Sequence, residues 1–309
     1  MMKKIIHIIL ILFLPLKLVA IETTQFKYPI GFGSVSPMIE VGLSYDDNIF
    51  SQDNGSGVHS SWIGILAPAV LWSVNSGLNQ YRVKYGFQAG SFFDSHDDNY
   101  IDHRFESDAH LDFSLRHRLD LEFDFLKLHE RRGTGLSDND VNNTFIGEPD
   151  KYRDIFLKGT YRFGAKTATG NVELSLSHLD RKYTNHEDLN FFYDRKVDSL
   201  RAAFIYRFRP NSSFIIEANH HRIRYDDSPL QHEILDNDEN SLLLGMQWEG
   251  SALTTGSAKI GYEKKSFKSA EYASHNFIPW ELGLIWAPRS YSKVNLTTYS
   301  KSEETSGTG

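Results

Sequence analysis

From Ala109 to Leu128 apolar side chains recur at every second position. Leu111, Phe113, Leu115, Leu119, Leu121, Phe123 and Phe125 hold the odd places, and His110, Asp112, Ser114, Arg116, Asp120, Glu122 and Asp124 the even ones. Side chains on a strand point alternately to its two faces. The stretch therefore predicts a hairpin with one apolar and one charged face, its turn at His117-Arg118 where the alternation breaks. The pattern recurs along the chain. Ile39, Val41, Leu43 and Tyr45 form one run, and Tyr81, Val83, Tyr85, Phe87 and Ala89 another. Leu157 to Phe163 with Val172 to Leu176, Leu200 to Phe208 with Phe214 to Ala218, Leu242 to Trp248 with Ala258 to Tyr262, and Trp280 to Trp286 with Val294 to Thr298 read as further hairpins. Trp62 to Val74 is apolar throughout and contains Pro68, so its register is not readable from the pattern.

Turn signals fall near Gly77, His117, Thr167, Pro210, Ser251 and Pro288, a spacing of about forty residues. Between them lie the polar segments His96 to Arg104, Arg131 to Lys151, Arg181 to Lys196, Asp226 to Asn240 and Lys265 to His275. Short connections thus alternate with long ones. A sandwich or propeller has no reason to sort its loops by length. A barrel of the outer membrane does, with short periplasmic turns and long extracellular loops. The expected fold is all-β, an antiparallel up-and-down transmembrane β-barrel occupying residues 38–309.

The apolar face carries Trp72, Tyr81, Phe163, Phe208, Trp248 and Trp286 beside the short turns, as expected of an aromatic girdle at a membrane interface. The opposite face carries Arg82, Lys84, Asp112, Arg116, Asp120, Glu122, Asp124, Lys158, Arg162, Glu173, Arg201, Arg207, Glu217, Lys259 and Glu281. A Lys or Arg turned to lipid at mid-depth would cost about 2–4 kcal/mol, so these are lumen-lining candidates. Their signs are mixed, which predicts cross-strand pairing rather than strong ion selectivity.

Composition adds exclusions. Mean hydropathy of -0.41 rules out a bundle of transmembrane helices, a signature that a barrel does not need. A net charge of -7 argues against a nucleic-acid binder, and without cysteine there is no disulfide, thiol nucleophile or lipoprotein anchor. Lys3 and Lys4, the apolar run Ile5 to Leu14 and the ending Leu18-Val19-Ala20 read as a cleaved signal peptide over residues 1–20. Residues 21–37 read as a periplasmic lead-in. The end of the chain breaks the barrel pattern. About thirteen strands is an odd number, and Ser302 to Gly309 is polar. The expectation is that strands are missing beyond Gly309 and that the full barrel has about 14–18.

Tyr45-Asp46-Asp47-Asn48-Ile49-Phe50 resembles a signature of a family of outer-membrane β-barrel porins, and Leu66-Ala67-Pro68 and His129-Glu130-Arg131-Arg132-Gly133 also look like that family. Its members are often encoded with exopolysaccharide or capsule biosynthesis and export machinery. The resemblance covers roughly Pro37 to the end and implies no catalytic residue and no cofactor. It implies an outer-membrane role in surface-polysaccharide secretion. The expected partners are outer-membrane lipid and lipopolysaccharide, the barrel-assembly machinery, and a polysaccharide with its export apparatus.

His96, Asp97, Asp98, Asp102 and His103 cluster in sequence, but such loop clusters are more often solvated, and His220 and His221, adjacent on a strand, face opposite ways, so no metal is expected. An outer-membrane hydrolase of lipid or peptide would use His129 with Glu130, or His178 with Asp180, near Ser175 and Ser177. Neighbouring Ser and His on a strand face opposite ways, and no hydrolase motif is present. A structural or adhesive surface barrel is the third class.

Overall fold

The computed structural model describes residues 26–50, 59–132, 147–187, 193–226, 235–251, 254–289 and 292–302. The signal-peptide segment 1–20, residues 133–146 of the polar segment that begins at Arg131, and the tail 303–309 lie outside the described residues.

Alternating sequence becomes one antiparallel sheet. Its strands are β1 (Tyr28–Ile30), β2 (Gly33–Asp46), β3 (Ser61–Ser76), β4 (Asn79–Phe92), β5 (Tyr100–Ser114), β6 (His117–His129), β7 (Lys151–Phe163) and β8 (Gly170–Tyr183). They continue as β9 (Arg195–Arg209), β10 (Ser212–Tyr225), β11 (Asn237–Ser251), β12 (Thr254–Phe267), β13 (His275–Phe277), β14 (Trp280–Arg289) and β15 (Ser292–Ser300). Each strand pairs with its neighbours in chain order, except that β12 pairs with both β13 and β14. Setting aside the three-residue β1 and β13, the strands among the described residues number thirteen. Among the described residues β15 has no pairing to β1 or β2, so the sheet is not closed.

One end of the sheet is stitched by Gly31-Phe32, Gly77-Leu78, Leu115-Arg116 and Pro210-Asn211, and the other by the long segments 47–60, 93–99, 130–150, 184–194, 226–236 and 268–279. Gly31 and Gly77 have φ of 55° and 62°, the left-handed backbone that two-residue hairpin turns need.

The sheet is inside out relative to a water-soluble protein. On β9 and β10, Phe204, Phe214 and Ile216 are 44%, 49% and 49% exposed, whereas Ala203, Ile215 and Glu217 are 3%, 6% and 5%. The same apolar exposure extends from Ile39 on β2 to Leu296 on β15, far beyond what one patch on a soluble monomer shows. From Leu200 to Phe208 the apolar run on β9 is about 26 Å long along the strand, which matches the apolar band of an outer-membrane barrel. Among the described residues no helix is long and apolar enough to cross a membrane; the strands do so instead.

Three expectations change in detail. The first hairpin turns at Leu115-Arg116, and His117 opens β6 opposite Ser114. A register shift between Asp112 and Ser114 absorbs the break in alternation that pointed two residues further on. Arg116, expected on the charged wall, is consequently a turn residue, its N–H bonded to Ser114 Oγ at 3.2 Å. The sheet also begins earlier than residue 38, because β1 and the start of β2 lie in the segment read as a lead-in, where Pro29, Gly31 and Gly33 obscure the period. Trp62 to Val74 lies within one continuous strand. Pro68 sits opposite Ile39 of β2, and ladder pairing to β4 lapses at Ala67 and Pro68 but resumes in the same register at Ala69↔Gly86. Proline has no N–H to give that ladder.

Candidate functional site

The charged face assembles residues that are distant in sequence because antiparallel register brings them side by side. Asp120 of β6 contacts both His110 of β5, at 2.6 Å, and Arg162 of β7. Arg162 continues to Glu173 of β8 at 3.1 Å, and Glu173 to Arg201 of β9 at 3.2 Å. Arg201 reaches Glu217 of β10 at 2.7 Å, Glu217 meets Lys259 of β12 at 3.2 Å, and Lys259 meets Glu281 of β14 at 3.1 Å. The result is one ladder of alternating acids and bases from β5 to β14, its charges alternating from Asp120 of β6 to Glu281 of β14. It passes over β11 because Gly245 lies opposite Lys259 there. A Cβ on Gly245 would stand 2.7 Å from Lys259 Cγ and 2.7 Å from the Ala258 carbonyl oxygen, so only glycine lets the lysine stem cross.

Around the ladder stand further pairs of opposite sign. Arg82 meets Asp108 at 2.9 Å, Lys84 meets Glu106 at 3.0 Å and Lys158 meets Glu122 at 3.0 Å. Asp112 lies 3.4 Å from His110. Asp124 faces Glu106 across the ladder and has no ion-pair partner among the described residues. Arg207 stands on the same face opposite Ser213. Beside the charges runs a strip of neutral polar groups. Thr160 bonds Ser175 at 2.9 Å, His221 bonds Ser199 at 2.8 Å and Asn219 donates to Ser241 at 3.1 Å. The apolar face carries Trp72, Tyr81, Phe163, Phe208, Trp248 and Trp286 close to the short connections, with Phe208 stacked on Phe214 at 4.4 Å between ring centres. Periodicity did not single out a second aromatic pair, Tyr45 and Trp62, 5.2 Å apart at the long-loop end.

The long-loop rim joins two of the motifs that carried the resemblance. Asp46 accepts the N–H of Asn48 at 3.0 Å and pairs with Arg131 at 2.6 Å. Arg132 lies 5.5 Å from the centre of the Phe50 ring and binds Asp98, which is buried. His129 contacts Asp102 at 2.9 Å and stacks on Tyr100, and the Tyr183 hydroxyl donates to Glu130 at 2.6 Å. The motifs are therefore an ionic clamp between the segments that follow β2, β4 and β6. The partner acids Asp98 and Asp102 gave no signal of this role in the sequence.

A second closure repeats along the rim. The N–H of Tyr183 donates to Asp194 at 2.6 Å, and the N–H of Tyr225 to Asp236 at 2.8 Å. Burial pushes the Asp194 carboxyl above the ordinary carboxylate range. Asp226 goes the other way. Burial raises it, but hydrogen bonds from Lys196 and Lys182, both at 3.1 Å, outweigh that and hold it below the ordinary value.

The histidines and serines of a metal or hydrolase reading take ordinary partners. His178 contacts Asp198 at 2.7 Å, with Ser175 and Ser177 on the other face of β8. His96 lies in a short 3-10 turn (His96–Asp98). His220 and His221 point to opposite faces, toward Asn240 and Ser199. Among the described residues no group of three or more His, Cys, Asp or Glu is placed to hold a metal ion.

A family model described as "Putative beta-barrel porin 2" matches residues 29–309. No match was found among curated proteins. The match spans most of the chain and agrees with its outward apolar face and length-sorted connections, so the chain belongs to the Putative beta-barrel porin 2 family and is a porin-like β-barrel of the outer membrane.

Proposed function

We propose that the charged face lines a water-filled passage through the outer membrane, open to polar solutes with little preference for the sign of their charge. The observation that carries this reading is the ladder from His110 to Glu281, in which acid and base alternate. So many ionic groups on one face need water beside them, and alternation of sign leaves no ring of one charge to select ions. The resemblance in the Tyr45 to Phe50 motif extends the proposal to secretion of a surface polysaccharide, exopolysaccharide or capsule, by a chain exported behind a cleaved leader at residues 1–20. A neutral or weakly charged polymer would slide along hydroxyl and amide groups such as Ser177, Ser199 and Asn219. Planar-bilayer recording of the purified protein is the test. The expected outcome is stable conductance, with potassium and chloride permeabilities within about threefold of each other. A protein that folds and inserts without conducting overturns the channel. Polymer retained in the periplasm of a deletion strain supports the secretion role, and unchanged polymer export removes it.

A further inference from the structure

On the outward face, just beyond the apolar band on the long-loop side, four basic side chains stand in one register line. His103 of β5 lies opposite Lys127 of β6, Lys127 opposite Arg153 of β7, and Arg153 opposite Lys182 of β8. Parity places them outward, because the preceding line on the same face is Phe105, Phe125 and Ile155. Lys127, Arg153 and Lys182 put like charges directly opposite on neighbouring strands, which destabilises a sheet, and the protein does little to offset them here. Lys127 and Arg153 have no carboxylate within ion-pair distance among the described residues; Lys127 has only the Phe125 ring, 5.9 Å away. Arg153 Nε is buried without a hydrogen-bond partner. His103 bonds the Tyr85 hydroxyl at 3.0 Å. The acids nearby are Asp226, which holds Lys182 at 3.1 Å, Asp194, engaged by the Tyr183 N–H, and Asp180, two residues before Lys182 on the same face. On the charged face, by contrast, Arg82, Lys84, Lys158, Arg162, Arg201 and Lys259 each meet an acid.

The geometry points to a binding site on His103, Lys127, Arg153 and Lys182 for the phosphorylated headgroup of a glycolipid in the outer leaflet. The aromatic and aliphatic line beneath takes the acyl chains, and a headgroup bearing two phosphates supplies the anions that the row lacks. Arg contributes a planar fork of donors and Lys point charges, the two chemistries that bind phosphate oxygens. The site rests on outward placement at the membrane surface and not on whether the interior conducts, so it stands or falls independently of the channel.

The test uses the full chain in neutral-detergent micelles, with lipid retention read by native mass spectrometry. The probes are bisphosphorylated lipid A, its dephosphorylated form, and inorganic phosphate as competitor. Each basic group facing an anionic surface is worth about fivefold in affinity, so Lys127→Gln combined with Arg153→Gln should weaken retention of the bisphosphorylated lipid about twenty-five-fold. Retention of the dephosphorylated form should not change. Lys127→Gln alone removes only a ring contact from the fold and should weaken retention about fivefold. Arg153→Lys should keep most of it. Lys264→Gln, a base on β12 outside the row, should leave it unchanged. The inference is overturned if the double variant binds as the unaltered protein does, if Lys264→Gln lowers retention equally, or if the dephosphorylated lipid is held as tightly. It is also overturned if inorganic phosphate displaces the lipid at equal concentration, since the site would then be one for a free anion.

Discussion

Gly245 shows how one missing Cβ shapes the wall. Leu243 and Gly245 share the inward face of β11, yet the glycine is the position that lets Lys259 lie across the strand to Glu217. Gly245→Val would drive a side chain into the Ala258 carbonyl and the lysine stem, both 2.7 Å from the Cβ position. The expected loss is about 2 kcal/mol, read as a lower urea midpoint for unfolding out of lipid vesicles. Two rim aspartates respond in opposite directions. The Asp226 carboxyl is held below its unfolded value, so its contribution is present above that unfolded value, about 3.9, and is lost as pH falls through the folded one. Asp226→Asn should therefore lower stability at neutral pH and flatten the acid limb of the stability profile. The Asp194 carboxyl is raised by burial, so charging it opposes folding once pH exceeds the unfolded value. Asp194→Asn keeps an oxygen to accept from Tyr183 N–H and should leave the neutral-pH midpoint unchanged or slightly higher. Thermal midpoints of both variants at pH 7 and pH 4 check the contrast. None of this was legible in the sequence, where Asp194 and Asp226 are two acids among 40.

At the scale of strands and hairpins the sequence was most readable where one face was apolar and the other charged. The runs on β6, β8, β9 and β10 appear as predicted. The β3 strand was not readable, because Ile63, Ile65, Ala67, Ala69 and Leu71 make its second face apolar as well, and Pro68 spoils the period. Its register comes from β2 on one side and β4 on the other. The charged residues of the wall were also legible, but which of them touch was not, since pairing depends on register set by turns one or two residues long. That register separates strong links from weak ones. Arg201 is shared between Glu173 and Glu217, and the Glu217 side chain is only 7% exposed. Without the arginine Glu173 keeps Arg162 and Glu217 keeps Lys259, but the nearly buried Glu217 loses its 2.7 Å charge-assisted bond, so Arg201→Ala should cost about 2 kcal/mol. Arg82 and Asp108 form a pair whose side chains are 59% and 37% exposed, so Arg82→Ala should cost under about 1 kcal/mol. Urea unfolding of the two variants side by side measures the difference.

For the molecule as a whole, outward apolarity and inward charge are a claim about solvent. A nitroxide at Phe123 should be relaxed by dissolved oxygen and shielded from a water-soluble nickel chelate, and one at Glu122 should behave in reverse. Reversal of the two would mean that the sheet packs its apolar face against protein instead of lipid. Composition, period and the sorting of connections by length were enough to establish the all-β class, the approximate strand count and the facing of the cleanly alternating strands, though not of β3. These depend on local geometry, in which side chains alternate whatever the rest of the chain does. What only the tertiary structure decided is which distant residues become neighbours: the ladder from His110 to Glu281, the clamp of Asp46 and Asp98 on Arg131 and Arg132, and the outward row ending at Lys182. The physical reason is register. A shift of one residue turns every side chain to the other face, and that choice is made by turns and bulges such as Leu115-Arg116 acting together across the sheet.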